Sequence, residues 1–256
     1  MFQKIISSVF VQKVLAKIQL YALKGMNYAN NGDYKDSGEL FVLQHICKMN
    51  NNTSGVIFDV GGNKGGYTEA IRSIFSNNIT IHAFEPSVHT FSVFTNNTKG
   101  IENLIANNVG MGDQETSLTL YSNSEGSGLA SVYDRKIEHY GIKLDHKETI
   151  QISTVDVYCK QHHISTILLL KLDIEGHELS ALKGANEMIS AKKINYIQFE
   201  CGGTNIDSRT YFKDFFELLS GNYKVYRILK NGLFEIKKYS EQNEIFLSVN
   251  YLAVLK

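Results

Sequence analysis

Residues 56–67 form a stretch that can hardly be anything but a strand ending in a glycine turn and restarting as a helix. Val56-Ile-Phe-Asp-Val60 is an apolar, largely β-branched run with one carboxylate, Asp59. Gly61, Gly62, Gly65 and Gly66, with Asn63 and Lys64 among them, break that run, and Tyr67 follows. Ala70, Ile71, Ile74 and Phe75 then recur with helical spacing. A short apolar run, punctuation and a 3.6-residue period read in sequence as strand, tight turn and helix. Glycines at such a turn permit positive φ and let a ligand lie against bare backbone. The helix N-terminus behind them presents free N–H groups and a partial positive charge.

The spacing says more than the glycine count. From Asp59 the pattern is D-x-G-x-N-x-G, with Gly61, Asn63 and Gly65 at its fixed positions. The dinucleotide fingerprint G-x-G-x-x-G would have glycine where Asn63 stands, and asparagine is the residue after glycine most at ease in a left-handed turn. Ile79-Thr-Ile-His-Ala-Phe84 is a second strand and ends at Glu85-Pro86. An acid about 20 residues beyond the glycine turn, at the end of the next strand, is where a ribose diol is gripped. Asp59 and Glu85 are therefore expected side by side at the carboxyl ends of parallel strands, around a nucleoside-bearing cofactor.

Composition limits the alternatives. A net charge of zero over 256 residues supplies no footprint for nucleic acid, so none is expected as a partner. Cys47, Cys159 and Cys201 are odd in number, far apart and form no C-x-x-C. That argues against a disulfide framework or zinc site and fits the cytoplasm. The first 26 residues are distinct: Lys4, Lys13, Lys17 and Lys24 supply charge, no acid precedes Asp33, and Val14, Leu15, Ile18 and Leu23 recur with helical spacing. The apolar run from Ile5 to Val11 is too short to cross a bilayer, and no small-residue cleavage site follows it. The segment reads as a helix docked on the domain or on a partner subunit, in preference to a basic amphipathic helix on an anionic membrane. With a turn-rich segment at 27–38 and a helix at 39–49, residues 1–50 form an N-terminal helical extension and 51–256 the main domain.

Further strands follow in order. Residues 103–109 form a third, and the turn Gly110-Met-Gly-Asp113 puts Asp113 at the same edge, as an acceptor for an adenine amino group or as a turn aspartate. Residues 117–121 are a short strand. Residues 129–150 show no clean period, as expected of a segment covering a site. Ile167–Leu172 is apolar apart from Lys171, as a parallel strand buried on both faces should be. It ends in Asp173-Ile-Glu175-Gly-His177-Glu178, where Asp173 is expected to bind and Glu178 to cap a helix. Tyr196–Phe199 is a fifth strand, ending at Glu200. Strands at 223–229, 232–236 and 249–255 have no helix between them and should pair as an antiparallel terminal hairpin. Five β-α units closed in this way are the Rossmann-like α/β architecture of class I methyltransferases, a seven-stranded mostly parallel sheet with helices on both faces.

The chain resembles the FkbM family of methyltransferases. Asp59-Val-Gly-Gly-Asn-Lys-Gly-Gly-Tyr-Thr68 and Ala83-Phe-Glu-Pro-Ser87 carry the resemblance, with Lys171-Leu-Asp-Ile-Glu-Gly-His-Glu-Leu179, Leu182-Lys-Gly-Ala185 and Gln198-Phe-Glu200. Gly62 stands where the family more often has alanine. The resemblance implies S-adenosylmethionine as cofactor and methyl transfer, usually to a hydroxyl of a sugar, glycan or other small acceptor. It also implies a cofactor site of Asp59, Gly61, Gly62, Asn63, Gly65, Tyr67, Glu85, Pro86, Asp113 and Asp173. An alcohol needs a general base, worth roughly 10²–10⁴-fold, and Glu175, His177 and Glu200 are the candidates. A divalent metal on Asp173, Glu175 and Glu200 could replace the base and stays open. So do the oligomeric state, a catalytically silent scaffold of a glycan-assembly complex, and an NAD(P)-linked reductase. Substitution of Asp59 or Glu85 by alanine is expected to weaken cofactor binding and spare the fold.

Overall fold

The apolar runs of the sequence become neighbours in one twisted sheet. A computed structural model describes residues 7–29, 34–51 and 54–256. After α1 (Val9–Gly25) and α2 (Glu39–Met49) come β1 (Gly55–Val60), α3 (Gly66–Ile74), β2 (Ile79–Phe84), α4 (Val88–Asn97) and β3 (Leu104–Asn107). The chain then makes β4 (Gly110–Met111), β5 (Thr116–Ser122), β6 (His146–Ser153) and α5 (Val155–Gln161). β7 (Ile167–Leu172), α6 (Glu178–Lys183), α7 (Asn186–Ser190) and β8 (Ile194–Cys201) follow. Last are α8 (Thr204–Ser208), α9 (Phe212–Leu219), β9 (Tyr223–Leu229), β10 (Gly232–Ile236) and β11 (Val249–Leu255).

The main sheet has eight strands in the order β10-β9-β11-β8-β7-β1-β2-β3. β3, β2, β1, β7 and β8 run parallel, and β11 is antiparallel to both β8 and β9. Sequence reading anticipated seven strands and a hairpin of the last ones. The hairpin is β9–β10, closed by Lys230 and Asn231, while β11 inserts between β8 and β9 instead of extending it. Its Tyr251, Leu252 and Ala253 are buried, so an interior place removes apolar side chains from water that an edge would leave exposed.

β4, β6 and β5 form a second, three-stranded sheet, unforeseen because β6 falls mostly in the stretch without a period. Its exposed positions are polar, and only Ile150 and Ile152 turn inward, onto Leu120. α2 belongs to the core by its packing: Val42, Leu43 and Ile46 are fully buried with Ile57, Ala70 and Ile71. α1 does not, for none of its residues is buried.

Register places the site. Val60 lies opposite Phe84 of β2 and Leu172 of β7, and Leu172 lies opposite Phe199 of β8. The next residue of each strand, Gly61, Glu85, Asp173 and Glu200, thus falls in one row at the carboxyl edge. Strand order reverses between β1 and β7, and crevices at such points are where open α/β sheets bind ligands.

Candidate active site

The turn after β1 is fixed by its neighbours on both sides. Gly61 and Gly62 both donate their N–H to the Phe84 carbonyl at 2.9 Å. Gly61 has φ +84°, and a Cβ there would stand 1.9 Å from the Asp173 carbonyl oxygen. Only glycine fits. At Gly62 the alanine more usual in the family would press on the Phe94 ring, 2.9 Å away. Asn63 takes φ +45° and donates its N–H to Glu85 Oε2 at 3.0 Å, while Ser87 donates its N–H to Glu85 Oε1 at 3.0 Å. Each carboxylate oxygen is therefore held by one backbone donor and keeps a lone pair for a ligand. Burial pushes the Glu85 carboxyl up to about 7.

Asp59 does not face the cavity as expected. It is fully buried, accepts from Thr68 Oγ1 at 2.6 Å and pairs with Lys171 Nζ at 3.2 Å. The register makes this inevitable, because Asp59 and Lys171 are lateral partners on adjacent strands. Lys171 also lies 3.6 Å from Asp173 Oδ2, donates to the Gly61 carbonyl at 3.3 Å and stands 4.9 Å from the centre of the Tyr67 ring. Burial alone would lower its pKa, but Asp59, Asp173 and Glu39 hold it above the usual range. Lys171 thus ties the glycine turn to β7. A single lysine in a buried apolar strand demands an anionic partner, a signal the sequence carried and that went unassigned.

A cavity of about 690 Å³ opens over the row of strand ends. Gly61, Asn63, Glu85, Pro86 and Asp173 line it, as do Glu175, His177 and Glu200. Gly65 packs on Thr98 behind the turn, and Tyr67 is buried behind it, donating to Gln198 Oε1 at 2.9 Å. Gln198 donates in turn to Glu39 Oε1 at 2.8 Å, and Ser37 donates to Glu39 Oε2 at 2.7 Å. Glu39, at the start of α2, is a cavity residue that sequence reasoning missed. Asp113 is misplaced in the expectation: it is exposed, its N–H bound to Ser180 Oγ at 3.1 Å. β4 leaves the main sheet for the second one and carries Asp113 outward, so Gly110 and Met111 face the cavity instead.

At the other end, one oxygen from each of Asp173, Glu175 and Glu200 lies within 4.8 Å of the other two. Glu175 accepts from Arg135 Nη1 at 2.8 Å, and Glu200 from Ser248 Oγ. Burial pushes Glu175 up to about 8, and burial with the nearby Asp173 and Glu175 raises Glu200. Glu175 also has φ +53°, a left-handed conformation rare for a non-glycine residue, held by Ser131 Oγ donating to its carbonyl at 2.7 Å. His177 contacts Tyr133, whose hydroxyl is 3.0 Å from Nδ1, and its Nε2 points toward Gly112 on the side of the second sheet. Burial lowers its pKa, so the ring is neutral at pH 7. Arg135 was unassigned because the segment around it has no period to fix its direction.

The model of the FkbM methyltransferase domain matches residues 59–228, more than half of the chain. The chain belongs to the FkbM methyltransferase family. A curated relative, Methyltransferase 1 of Beauveria bassiana, is 27% identical over 146 residues, 51% of this chain and 58% of the relative. The chain therefore matches well under two thirds of that protein's length. Among solved structures, the chain is similar to the O-methyltransferase of Bacillus cereus in complex with SAH (10% identity, TM-score 0.47, 99% of this chain and 96% of that one). It is also similar to fibrillarin of Aeropyrum pernix with natively bound S-adenosyl-L-methionine (10% identity, TM-score 0.41, 79% and 68%). The family and the strand order set aside a reductase, whose dinucleotide fold would repeat its βαβ half.

Proposed function

We propose that this FkbM-family chain is an S-adenosylmethionine-dependent O-methyltransferase acting on a hydroxyl of a sugar, glycan or other small acceptor. The observation that carries this reading is the row of Gly61, Glu85, Asp173 and Glu200 along one cavity edge, with both Glu85 oxygens preset by backbone N–H groups. The cofactor fits the residues present: bare backbone at Gly61, where a side chain has no room, lies beside a carboxylate suited to a ribose diol. When bound, S-adenosylmethionine supplies a methyl group already activated on a sulfonium.

The chain's residues have three tasks. Glu85 accepts from the ribose hydroxyls, and the 61–63 turn orients the ligand. Glu39, Asp173, Glu175 and Glu200 line the far end of the cavity with Arg135 as the cation among the described residues there. Glu175 and Glu200, with raised proton affinity, take the proton from the acceptor hydroxyl. His177, turned toward Tyr133, positions the cavity wall instead. Ile137, Ile142, Phe246 and Leu247 complete an apolar rim that keeps water out.

The test combines calorimetric titration with S-adenosylhomocysteine and transfer of labelled methyl to a panel of monosaccharides and glycans. Binding together with alkali-stable labelled ether is the expected result. Failure to bind overturns the cofactor reading, whereas binding without a labelled product in the panel or in cell extract favours a catalytically silent protein.

A further inference from the structure

Helix α1 lies outside everything described so far. It is 17 residues long, about 25 Å at the usual helical rise, and none of its residues is buried. Phe10, Val14, Ile18 and Tyr21 follow one another at helical spacing along one face, Phe10 76% and Tyr21 82% exposed. Leu15 continues the same arc. Lys13, Lys17 and Lys24 form a second stripe along one border of that face, and no acidic residue occurs before Asp33. Leu23 alone packs, half-buried, on the core. Of the two placements expected from sequence, on the domain or on a partner subunit, the first is thus not what the structure shows.

We infer that α1 docks on an anionic membrane surface, its Phe10–Tyr21 face entering the boundary between head groups and acyl chains while the lysines bind the lipid charge. Charge decides between this and pairing of two copies. Two identical helices packed through this face would bring lysine stripes together without an acid on either to offset them, whereas an anionic surface offsets every one. The lysine stems can lie along the apolar boundary with their ammonium groups in the head-group layer. The anchor is stiff at its other end. Asn27 Nδ2 donates to the carbonyls of Ser37 at 2.8 Å and Ile228 at 3.0 Å, and Arg227 donates to the hydroxyl of the buried Tyr28 at 3.1 Å. Ala29 donates its N–H to the Ser248 carbonyl at 2.9 Å and lines the cavity. Docking therefore holds the cavity rim at a set distance from the lipid.

Co-sedimentation of the full chain with vesicles tests this. Phosphatidylcholine vesicles containing about one third phosphatidylglycerol should carry the protein down, and pure phosphatidylcholine should not. Raising salt from about 0.01 M to about 1 M, which cuts the screening length from roughly 30 Å to roughly 3 Å, should release it. Lys13→Glu, Lys17→Glu and Lys24→Glu together should lower partitioning by at least about 100-fold. Phe10→Glu with Ile18→Glu should abolish it. Both variants should keep the parent's melting temperature, since the changed residues are exposed. Absence of the protein from anionic pellets at low salt, or binding indifferent to the lysines, overturns the proposal. A dimer in light scattering that Phe10→Glu with Ile18→Glu disperses, without vesicle binding, assigns the face to a second copy instead.

Discussion

At the scale of single residues, the strand row makes sharp demands. A Cβ at Gly61 would meet the Asp173 carbonyl at 1.9 Å in a backbone already at φ +84°. Gly61→Ala is expected to cost about 2 kcal/mol or more in urea unfolding and to remove S-adenosylhomocysteine binding. Glu85→Gln keeps the shape but sets an amide donor against one of two backbone donors. Titration calorimetry should show a loss of about 10- to 100-fold in affinity for the same ligand. Asp59 behaves differently from what sequence alone expects. With no exposure and Lys171 as its partner, its substitution strikes the fold before the cofactor. Lys171→Met, which strands the Asp59 charge in the interior, should destabilise by about 3–5 kcal/mol in denaturant melts. Ionised Glu175 is the proton acceptor in the proposed reaction, and burial holds its pKa near 8. The rate at saturating ligand should therefore rise with pH and level off above about pH 8.

At the scale of elements, α1 and α2 part company. Val42, Leu43 and Ile46 make α2 part of the core, while α1 contributes no buried side chain. A chain beginning at residue 21 should keep its melting temperature within about 2 °C of the parent in a thermal scan, because exposed positions carry little stability. The sequence was most legible where both faces of a strand are buried. β1, β2, β7 and β8 announced themselves as apolar runs, and each carried its terminal carboxylate or glycine in plain view. Legibility failed where direction depends on partners far along the chain. β6 has only Ile150 and Ile152 to mark its inner face, so nothing local showed that β4 would leave the main sheet and turn Asp113 outward. The place of β11 between β8 and β9 is a matter of tertiary pairing that no local period encodes. Lys171 was readable in principle, as the one charge in a buried run, but its partner is known only once Asp59 and Lys171 are in register.

At the scale of the molecule, the site and the turn behind it hold acids kept partly protonated by burial. Glu85 and Glu178 are raised to about 7 and Glu175 to about 8, from an ordinary 4.5. Between about pH 4.5 and pH 8 the folded chain therefore binds more protons than the unfolded chain, and stability falls as pH rises through that window. Unliganded protein should lose on the order of a few kcal/mol between pH 5 and pH 8 in denaturant melts. A chain whose carboxylates are stabilised by ion pairs would show the opposite slope.

The insertion of β11 also sets an order of events during synthesis. Glu200 is paired across the ladder with Asn250, and both line the cavity. A nascent chain that has emerged only as far as β10 carries the glycine turn and Glu85 in its sequence, yet one wall of the pocket is still inside the ribosome. Capture of the nucleoside, and with it any turnover, must wait until the strand at 249–255 has slid in beside β8.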